Sequence, residues 1–162
     1  MIRIGQGFDV HGFEEGSGVV LGGVNIPFDK GLKAHSDGDV LIHALCDALL
    51  GAAALGDIGR HFPDHDPRYQ DVNSLQLLRE VMTMLVADNW RLGNADITVI
   101  AEAPKITPHV DAMVNQLMQV MACRSEQLNI KATTTEKLGF TGRGEGIACQ
   151  AVVLIEQYGG AD

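Results

Sequence analysis

Strict alternation opens the chain. From Ile2 to His11 the apolar Ile2, Ile4, Phe8 and Val10 fall on one face of an extended segment, and Arg3, Gly5, Gly7, Asp9 and His11 fall on the other. The pattern predicts a strand with one polar face. A Gly-rich turn around Glu15 to Gly18 and a second apolar run from Val19 to Ile26, stopped by Pro27, predict that the first two strands pair as a hairpin. The period then changes. From Asp39 to Ala54 the residues Val40, Leu41, Ala44, Leu45, Ala48, Leu49 and Ala52 recur at helical spacing, and Ser36 or Asp37 can cap the start. A loop rich in Gly, Asp and Pro covers Gly56 to Asn73, and Leu75, Leu78, Met82, Leu85 and Val86 mark a second helix capped by Asn73. Residues 95 to 101 read as a strand. Thr107 at a cap position and Pro108 at the first helical position start a third helix that carries Val110, Met113, Val114, Leu117 and Met121 and ends by Cys123. Leu128 to Thr133 alternates as another strand, a glycine-punctuated loop spans Glu136 to Gly146, Ile147 to Ile155 is a long final strand, and Gly159 to Asp162 are expected to fray.

Interleaved strands and helices without repeats predict an α/β fold of the α+β sandwich kind: a mixed β-sheet with helices on one face. The final strand is apolar on both sides, as in Val152 with Val153 and Leu154 with Ile155, so the second sheet face should also be covered. With only three helices predicted, association with further copies is the expected cover.

Composition narrows the class. The 162 residues suit one domain, 1–162, and 46% hydrophobic with 20% charged content exclude disorder as the default. Twelve Lys and Arg against twenty-one Asp and Glu give a net charge of −9. The basic residues are scattered, so a nucleic-acid partner is not expected, whereas a small phosphorylated ligand remains open because metal ions and backbone amides neutralise phosphates. The chain opens without a secretory pattern. Its longest apolar stretch, Ala48 to Gly56, is too short for the roughly 20 residues of a membrane helix. Cys46, Cys123 and Cys149 are odd in number and widely spaced, as expected for reduced thiols in a cytoplasmic protein.

Several constellations could carry chemistry. Asp9 and His11 leave the same strand face with Cα atoms about 7 Å apart. His43 lies on the first predicted helix with Asp39 and Asp47 four residues away on either side, placed to fix its tautomer. An Asp/His/His set on zinc would keep a tetrahedral position open for substrate, while the same residues can equally form a solvated strand face and a hydrogen-bonded helix histidine. His35-Ser36-Asp37-Gly38-Asp39 enters a helix, where amides bind phosphate or simply cap. Ala132-Thr133-Thr134-Thr135-Glu136-Lys137 places hydroxyls and a carboxylate past a strand end, where ligands often sit in α/β sheets. Glu136 there is either a ligand for a hard cation or part of a solvated Glu-Lys pair. Gly142-Arg143-Gly144-Glu145-Gly146 reads as a mobile turn rather than a phosphate loop, and the methionines of the third helix read as core.

Taken together, Gly7-Phe8-Asp9-Val10-His11, Ala34-His35-Ser36-Asp37-Gly38-Asp39, Asp57-Ile58-Gly59, Phe62-Pro63-Asp64, Ala103-Pro104-Lys105 and the run from Lys131 through Thr134-Thr135-Glu136-Lys137-Leu138-Gly139-Phe140 to Gly146 resemble the 2-C-methyl-D-erythritol 2,4-cyclodiphosphate synthases over nearly the whole chain. The resemblance implies a phosphorus-oxygen lyase of non-mevalonate isoprenoid biosynthesis. It would be a homotrimer with its sheets around the threefold axis and its active sites between subunits. In such enzymes the 2-phosphate of 4-diphosphocytidyl-2-C-methyl-D-erythritol 2-phosphate attacks the β-phosphorus of the same molecule and expels CMP.

By the same resemblance Asp9, His11 and His43 hold zinc, and Glu136 helps hold a second divalent ion, magnesium or manganese. His35 and Thr134 steady the transition state, and Ser36 touches phosphate. Asp57, Ile58, Gly59, Phe62, Pro63, Asp64, His65 and Asp66 form the flap and pocket for the methylerythritol part. Ala101, Glu102, Ala103, Pro104, Lys105, Ile106 and Thr107, with Thr133, Thr134 and Thr135, form the cytidine pocket on the neighbouring subunit. Phe140 and Arg143 complete the substrate-binding set.

Three positions depart from the commonest pattern of that family. Ile106-Thr107 stands where a Met-Leu pair is frequent, His65 where a small polar residue is common, and Gln150 where a Glu often pairs with the residue matching Arg143. Gln cannot form that ion pair, so binding of an isoprenoid diphosphate in an axial channel near Phe8 is expected to be altered. Two other readings use the same residues: a zinc-dependent phosphodiesterase or nucleotide hydrolase attacking with metal-bound hydroxide, and a non-catalytic cytidine-nucleotide or isoprenoid sensor.

Overall fold

The long first strand organises the molecule. In the computed structural model, which describes residues 1–63, 66, 69 and 72–159, β1 runs from Ile2 to Glu15, beyond the predicted end at His11. It pairs antiparallel with β7 (Gly146–Gln157) from Ile2↔Glu156 to Gly12↔Gly146, and its last residues pair with a short strand β4 (Lys30–Leu32). β7 pairs antiparallel with β5 (Trp90–Ile100), which carries β6 (Leu128–Thr133) parallel on its other side. The five-stranded order β4-β1-β7-β5-β6 is a mixed sheet, as predicted. β5 begins at Trp90, earlier than the alternation from residue 95 indicated; a register shift between Leu92 and Asn94 breaks the period there.

The expected pairing of the first two strands does not form. β2 (Gly18–Leu21) instead pairs with β3 (Val24–Pro27) as a separate hairpin. A two-residue hairpin loop needs left-handed backbone, and Gly22 and Gly23, at φ of 57° and 73°, supply it.

The helices are α1 (Val40–Ala52), α2 (Ile58–His61), α3 (Ser74–Ala87), α4 (Val110–Met121) and α5 (Gly139–Gly142). Asn73 caps α3 as predicted, its side chain accepting from Leu75 N. The cap of α1 is Asp39 rather than Ser36 or Asp37; its carboxylate reaches Ile42 N at 3.1 Å. Thr107–His109 form a 3₁₀ turn that leads into α4, so the regular helix starts at Val110, later than expected. The short helices α2 and α5 interrupt segments predicted as loops.

α1 is buried on nearly every side, with Leu41, Ile42, Leu45, Leu49 and Leu50 fully covered between the sheet and α3. The stripe His43, Asp47, Gly51 is its less buried line. Gly5 and Gly7 let the helix rest on the backbone of β1: a Cβ at Gly5 would lie 1.9 Å from Ala48 O, and one at Gly7 2.0 Å from Ala44 O. The same sheet face buries Cys149, Ala151, Val153, Ile97 and Val99. The opposite face shows Ile2, Ile4, Phe8, Val10 and Val152, exposed by 63%, 71%, 52%, 38% and 40%. The long helices thus lie on one face, and the β1–β7 part of the other face leaves these apolar side chains open in the single chain, beside the polar Gln6 and Gln150. No helix of the described residues is long and apolar enough to cross a membrane.

The contact between β1 and α1 predicts a steep cost for added volume. Gly7→Ala should lower unfolding stability by about 3 kcal/mol, the upper part of the range for overpacking, because its methyl group meets backbone rather than a movable side chain. Urea denaturation followed by circular dichroism measures this; a midpoint equal to that of the unaltered chain would contradict the close approach.

Candidate metal centre

Two elements supply three ligand-type side chains. Asp9 and His11 lie on the face of β1 that meets α1, and His43 stands on the less buried stripe of α1 directly across from them. Asp9 Oδ2 is 3.0 Å from His11 Nε2 and 3.1 Å from His43 Nδ1, and the two imidazole nitrogens are 3.2 Å apart. A tetrahedral ion with bonds of about 2.0–2.1 Å separates its donor atoms by about 3.3 Å, so this triangle fits three corners of such a site. Among the described residues these three form the one group of three or more His, Cys, Asp or Glu placed to hold a metal ion.

The electrostatics agree with a cation site. Burial pushes the Asp9 carboxyl up, but hydrogen bonds from His11 and His43 and their charge outweigh it and hold the group well below the usual carboxylate range. The hydrogen bond to Asp9 raises the His11 imidazole above its ordinary value, against the opposing effect of burial. His11 Nδ1 lies 2.8 Å from Lys33 O, an acceptor only, so that nitrogen keeps its proton, and Nε2, on giving up the proton it shares with Asp9, is the nitrogen that would ligate an ion.

The partners expected for His43 are not the ones it has. Asp39 and Asp47 sit four residues away on the same helix, yet neither bonds the imidazole. Asp39 is fully buried and accepts from Gly22 N at 2.9 Å, Gly23 N at 2.7 Å and Ile42 N. Asp47 accepts from Ile58 N at 2.7 Å. Unpaired amides of a hairpin loop and of two helix starts take up these carboxylates, because a buried N–H without a partner is costly. His43 Nε2 instead meets Ser74 Oγ at 3.0 Å and Ser36 Oγ at 3.3 Å, and Ser74 is held in turn by Asp37. The sequence signal for Ser74 is only its place after the Asn73 cap.

A cavity of about 500 Å³ opens over the three ligands. His35, Ser36, Ile58, Gly59 and Phe62 line it with Asp9, His11 and His43, and Lys33, Ala34, Asp47, Tyr69, Val72 and Leu77 join them. Tyr69 was not anticipated; its ring packs edge-on against Phe62 at 5.2 Å. Asp57 caps α2 by accepting from Arg60 N at 2.9 Å, and Pro63 and Asp66 are linked through Asp66 N to Pro63 O at 2.9 Å. Asp64 and His65 lie outside the described residues. A larger cavity of about 710 Å³, at the other end of the sheet around Trp90, Arg91 and Met121, has no comparable ligand group among the described residues.

The remaining candidates form a second cluster in the same chain. Parallel β5 and β6 end side by side, with Ala101 N donating to Thr133 O at 3.0 Å, so the segments that follow them, Ala101 to Thr107 and Thr134 to Glu136, start next to each other. Glu102 accepts from Lys137 N at 3.1 Å, and Thr134 Oγ1 donates to Glu136 at 2.9 Å. Phe140 is 38% exposed. Arg143 pairs with Glu145 at 2.6 Å. β6 lies three strand spacings, about 14 Å, from β1. The fold therefore does not bring Glu136 or Thr134 to Asp9, His11 and His43 within one chain.

His43→Ala should lower affinity for a divalent transition ion by more than about 100-fold, the upper end of the loss on removing a ligand's own supporting partner. Competition with a chromophoric chelator, using Zn²⁺ as probe, reads this, and undiminished binding would remove His43 from the site. The raised His11 adds a sign. Protons compete for its Nε2, so affinity should fall as the pH is lowered through the raised titration of this imidazole and level off on the alkaline side.

Comparison with known proteins supplies the context. The chain is 62% identical over 155 residues to the 2-C-methyl-D-erythritol 2,4-cyclodiphosphate synthase of Alcanivorax borkumensis, covering 96% of this chain and 97% of that protein. It is 59% identical over 155 residues to the synthase of the same name from Pasteurella multocida, covering 96% and 98%. Among solved structures, IspF of Plasmodium falciparum in a CDP complex matches with a TM-score of 0.86 at 35% identity, over 98% of this chain and 97% of that one. The bifunctional IspDF of Campylobacter jejuni matches with a TM-score of 0.94 at 45% identity, over 98% of this chain and 43% of that longer one. The family model, described as the YgbB family, matches residues 2–156, and the chain belongs to that family.

Proposed function

We propose that this chain catalyses the cyclisation of 4-diphosphocytidyl-2-C-methyl-D-erythritol 2-phosphate to 2-C-methyl-D-erythritol 2,4-cyclodiphosphate with release of CMP, a phosphorus-oxygen lyase reaction in cytoplasmic isoprenoid precursor synthesis. The observation that carries the reading is the Asp9–His11–His43 triangle at the floor of a pocket. In this reaction an oxygen of the 2-phosphate forms the new bond to the β-phosphorus as the bond to the bridging oxygen breaks. CMP leaves with that oxygen. Nucleophile and electrophile belong to one molecule, so the protein's task is to fold it back and to screen negative charge.

Asp9, His11 and His43 would hold zinc against the β-phosphate, and Glu136 would help hold magnesium or manganese. When bound, these ions neutralise charge on the reacting phosphate groups. His35 and Thr134 would donate to oxygens that gain charge in the transition state, and Ser36 would contact phosphate. Ile58, Gly59 and Phe62, with Asp57, Pro63 and Asp64 to Asp66, would enclose the methylerythritol part. Residues Ala101 to Thr107 with Thr133 to Thr135, and Phe140 and Arg143, would bind the rest of the substrate.

The distance between the two clusters argues for assembly of this single domain, 1–162, into a homotrimer in which one copy's β5–β6 end completes the neighbour's pocket. The open apolar face around Ile2, Ile4, Phe8, Val10 and Val152 is the surface such an assembly would bury. Gln150 lies opposite Phe8 in the β1–β7 register on that face. It would alter binding of an isoprenoid diphosphate along the axis.

A phosphorus NMR time course with the diphosphocytidyl substrate, run with magnesium or manganese and again after chelation, tests the reading. CMP and a cyclic diphosphate are expected together, both stopped by chelation. Open-chain phosphates with oxygen from water would favour a hydrolase, and no product from folded protein would favour a nucleotide sensor. Gln150→Glu is expected to change the calorimetric affinity for an isoprenoid diphosphate, and an unchanged affinity would remove that role.

A further inference from the structure

Resting on the metal reading above, we propose that Ser74 and Asp37 are positioning residues that hold His43 in the tautomer able to bind the metal. The imidazole must offer Nδ1 as a lone pair toward Asp9 and His11, so its proton must sit on Nε2 and needs an acceptor there. Ser74 Oγ stands 3.0 Å from Nε2, and Ser74 is fully buried at the first residue of α3. Behind it, Asp37 Oδ1 accepts from Ser74 Oγ at 2.5 Å and Oδ2 accepts from Ser74 N at 2.9 Å. A carboxylate only accepts, so the Ser74 hydroxyl must donate to Asp37 and leave its lone pair for His43. The direction of the whole chain, from His43 Nε2–H to Ser74 to Asp37, is set by that charge.

The other neighbour of Nε2 cannot replace this arrangement. Ser36 Oγ is farther, at 3.3 Å, and its own described partner is Gly38 N, with no carboxylate to orient its proton. Ser36 also lines the pocket, where a phosphate would compete for its hydroxyl. Ser74 therefore keeps the histidine aligned when substrate is bound, and it ties the start of α3 to the ligand set on β1 and α1.

The direction of the hydrogen bonds makes the proposal testable with an isosteric change. In Asp37→Asn the Ser74 N–H still needs the amide oxygen, so the amide NH₂ faces Ser74 Oγ. The serine hydroxyl then has His43 Nε2 as its remaining acceptor, which favours a proton on Nδ1, where the metal should be. Ser74→Ala removes the relay but keeps the Asp37 charge. Equilibrating the zinc-loaded full chain against a chromophoric chelator should show a loss of about 10–100-fold in zinc affinity for Asp37→Asn and a smaller but clear loss for Ser74→Ala.

In protein labelled with nitrogen-15 at histidine, the His43 Nε2 proton should exchange slowly in the zinc-loaded wild type and rapidly in Ser74→Ala. Ser74→Ala within threefold of wild type, or a rapidly exchanging Nε2 proton in the wild type, overturns the proposal, and these two readouts decide it even if Asp37→Asn folds poorly. If the wild type holds no zinc, or His43→Ala holds it equally well, the metal reading itself fails and takes this inference with it. If His43→Ala loses zinc while Ser74→Ala does not, only the positioning role is lost.

Discussion

Everything that defines the site depends on how closely one helix lies on one strand. Ala44 and Ala48 of α1 rest against β1 where Gly5 and Gly7 provide no side chain, and a single methyl group at either glycine would overlap a helix carbonyl. The helix is therefore pinned at backbone distance, with its less buried stripe turned toward the next inward positions of the strand. His43 meets Asp9 and His11 because Gly7 is followed two residues later by Asp9, and Ala44 is preceded by His43. A wider helix-strand gap would leave the same residues as three separate polar groups. Their spacing of 3.0 to 3.2 Å is a packing result before it is a chemical one.

Around this contact the acidic residues divide their work. Asp39 is pushed up to about 6 by burial, against the pull of three backbone N–H bonds, and ties the Gly22–Gly23 loop to the first turn of α1. Asp47 ties α1 to the start of α2, and Asp37 ties it to the start of α3. Each carboxylate answers amides that a helix end or tight loop leaves unpaired. Of these three, only Asp37 reaches His43, through Ser74. Helix packing and ligand orientation are thus carried by the same hydrogen bonds, so the metal site is held by the parts of the chain that hold the core.

The sheet separates the two groups of candidate residues. Asp9, His11 and His43 belong to the β1 side, and Thr133 to Glu136 emerge from β6 at the far edge. Parallel pairing of β5 with β6 is what gathers the second group, since both strands deliver their following loops to one end. Between them the open face carries Ile4 and Phe8 into solvent in the single chain. This open apolar surface is the one that the proposed assembly of copies would bury.

The sequence by itself determined the elements with strong periods. Alternation gave β1 and its two faces, the helical repeat gave α1, the Asn73 cap gave α3, and Asp9, His11 and His43 could be named as one ligand set from spacing and family resemblance. These rest on local rules: side chains alternate along a strand and recur along a helix whatever the chain does elsewhere. Tertiary structure decided the rest. It moved the hairpin to Gly22–Gly23, spent Asp39 and Asp47 on backbone amides, and gave His43 the hydroxyl of Ser74, thirty-one positions away. Hydrogen-bond partners are chosen by which unpaired donors folding brings near, and that choice depends on packing between distant segments, which no local period encodes.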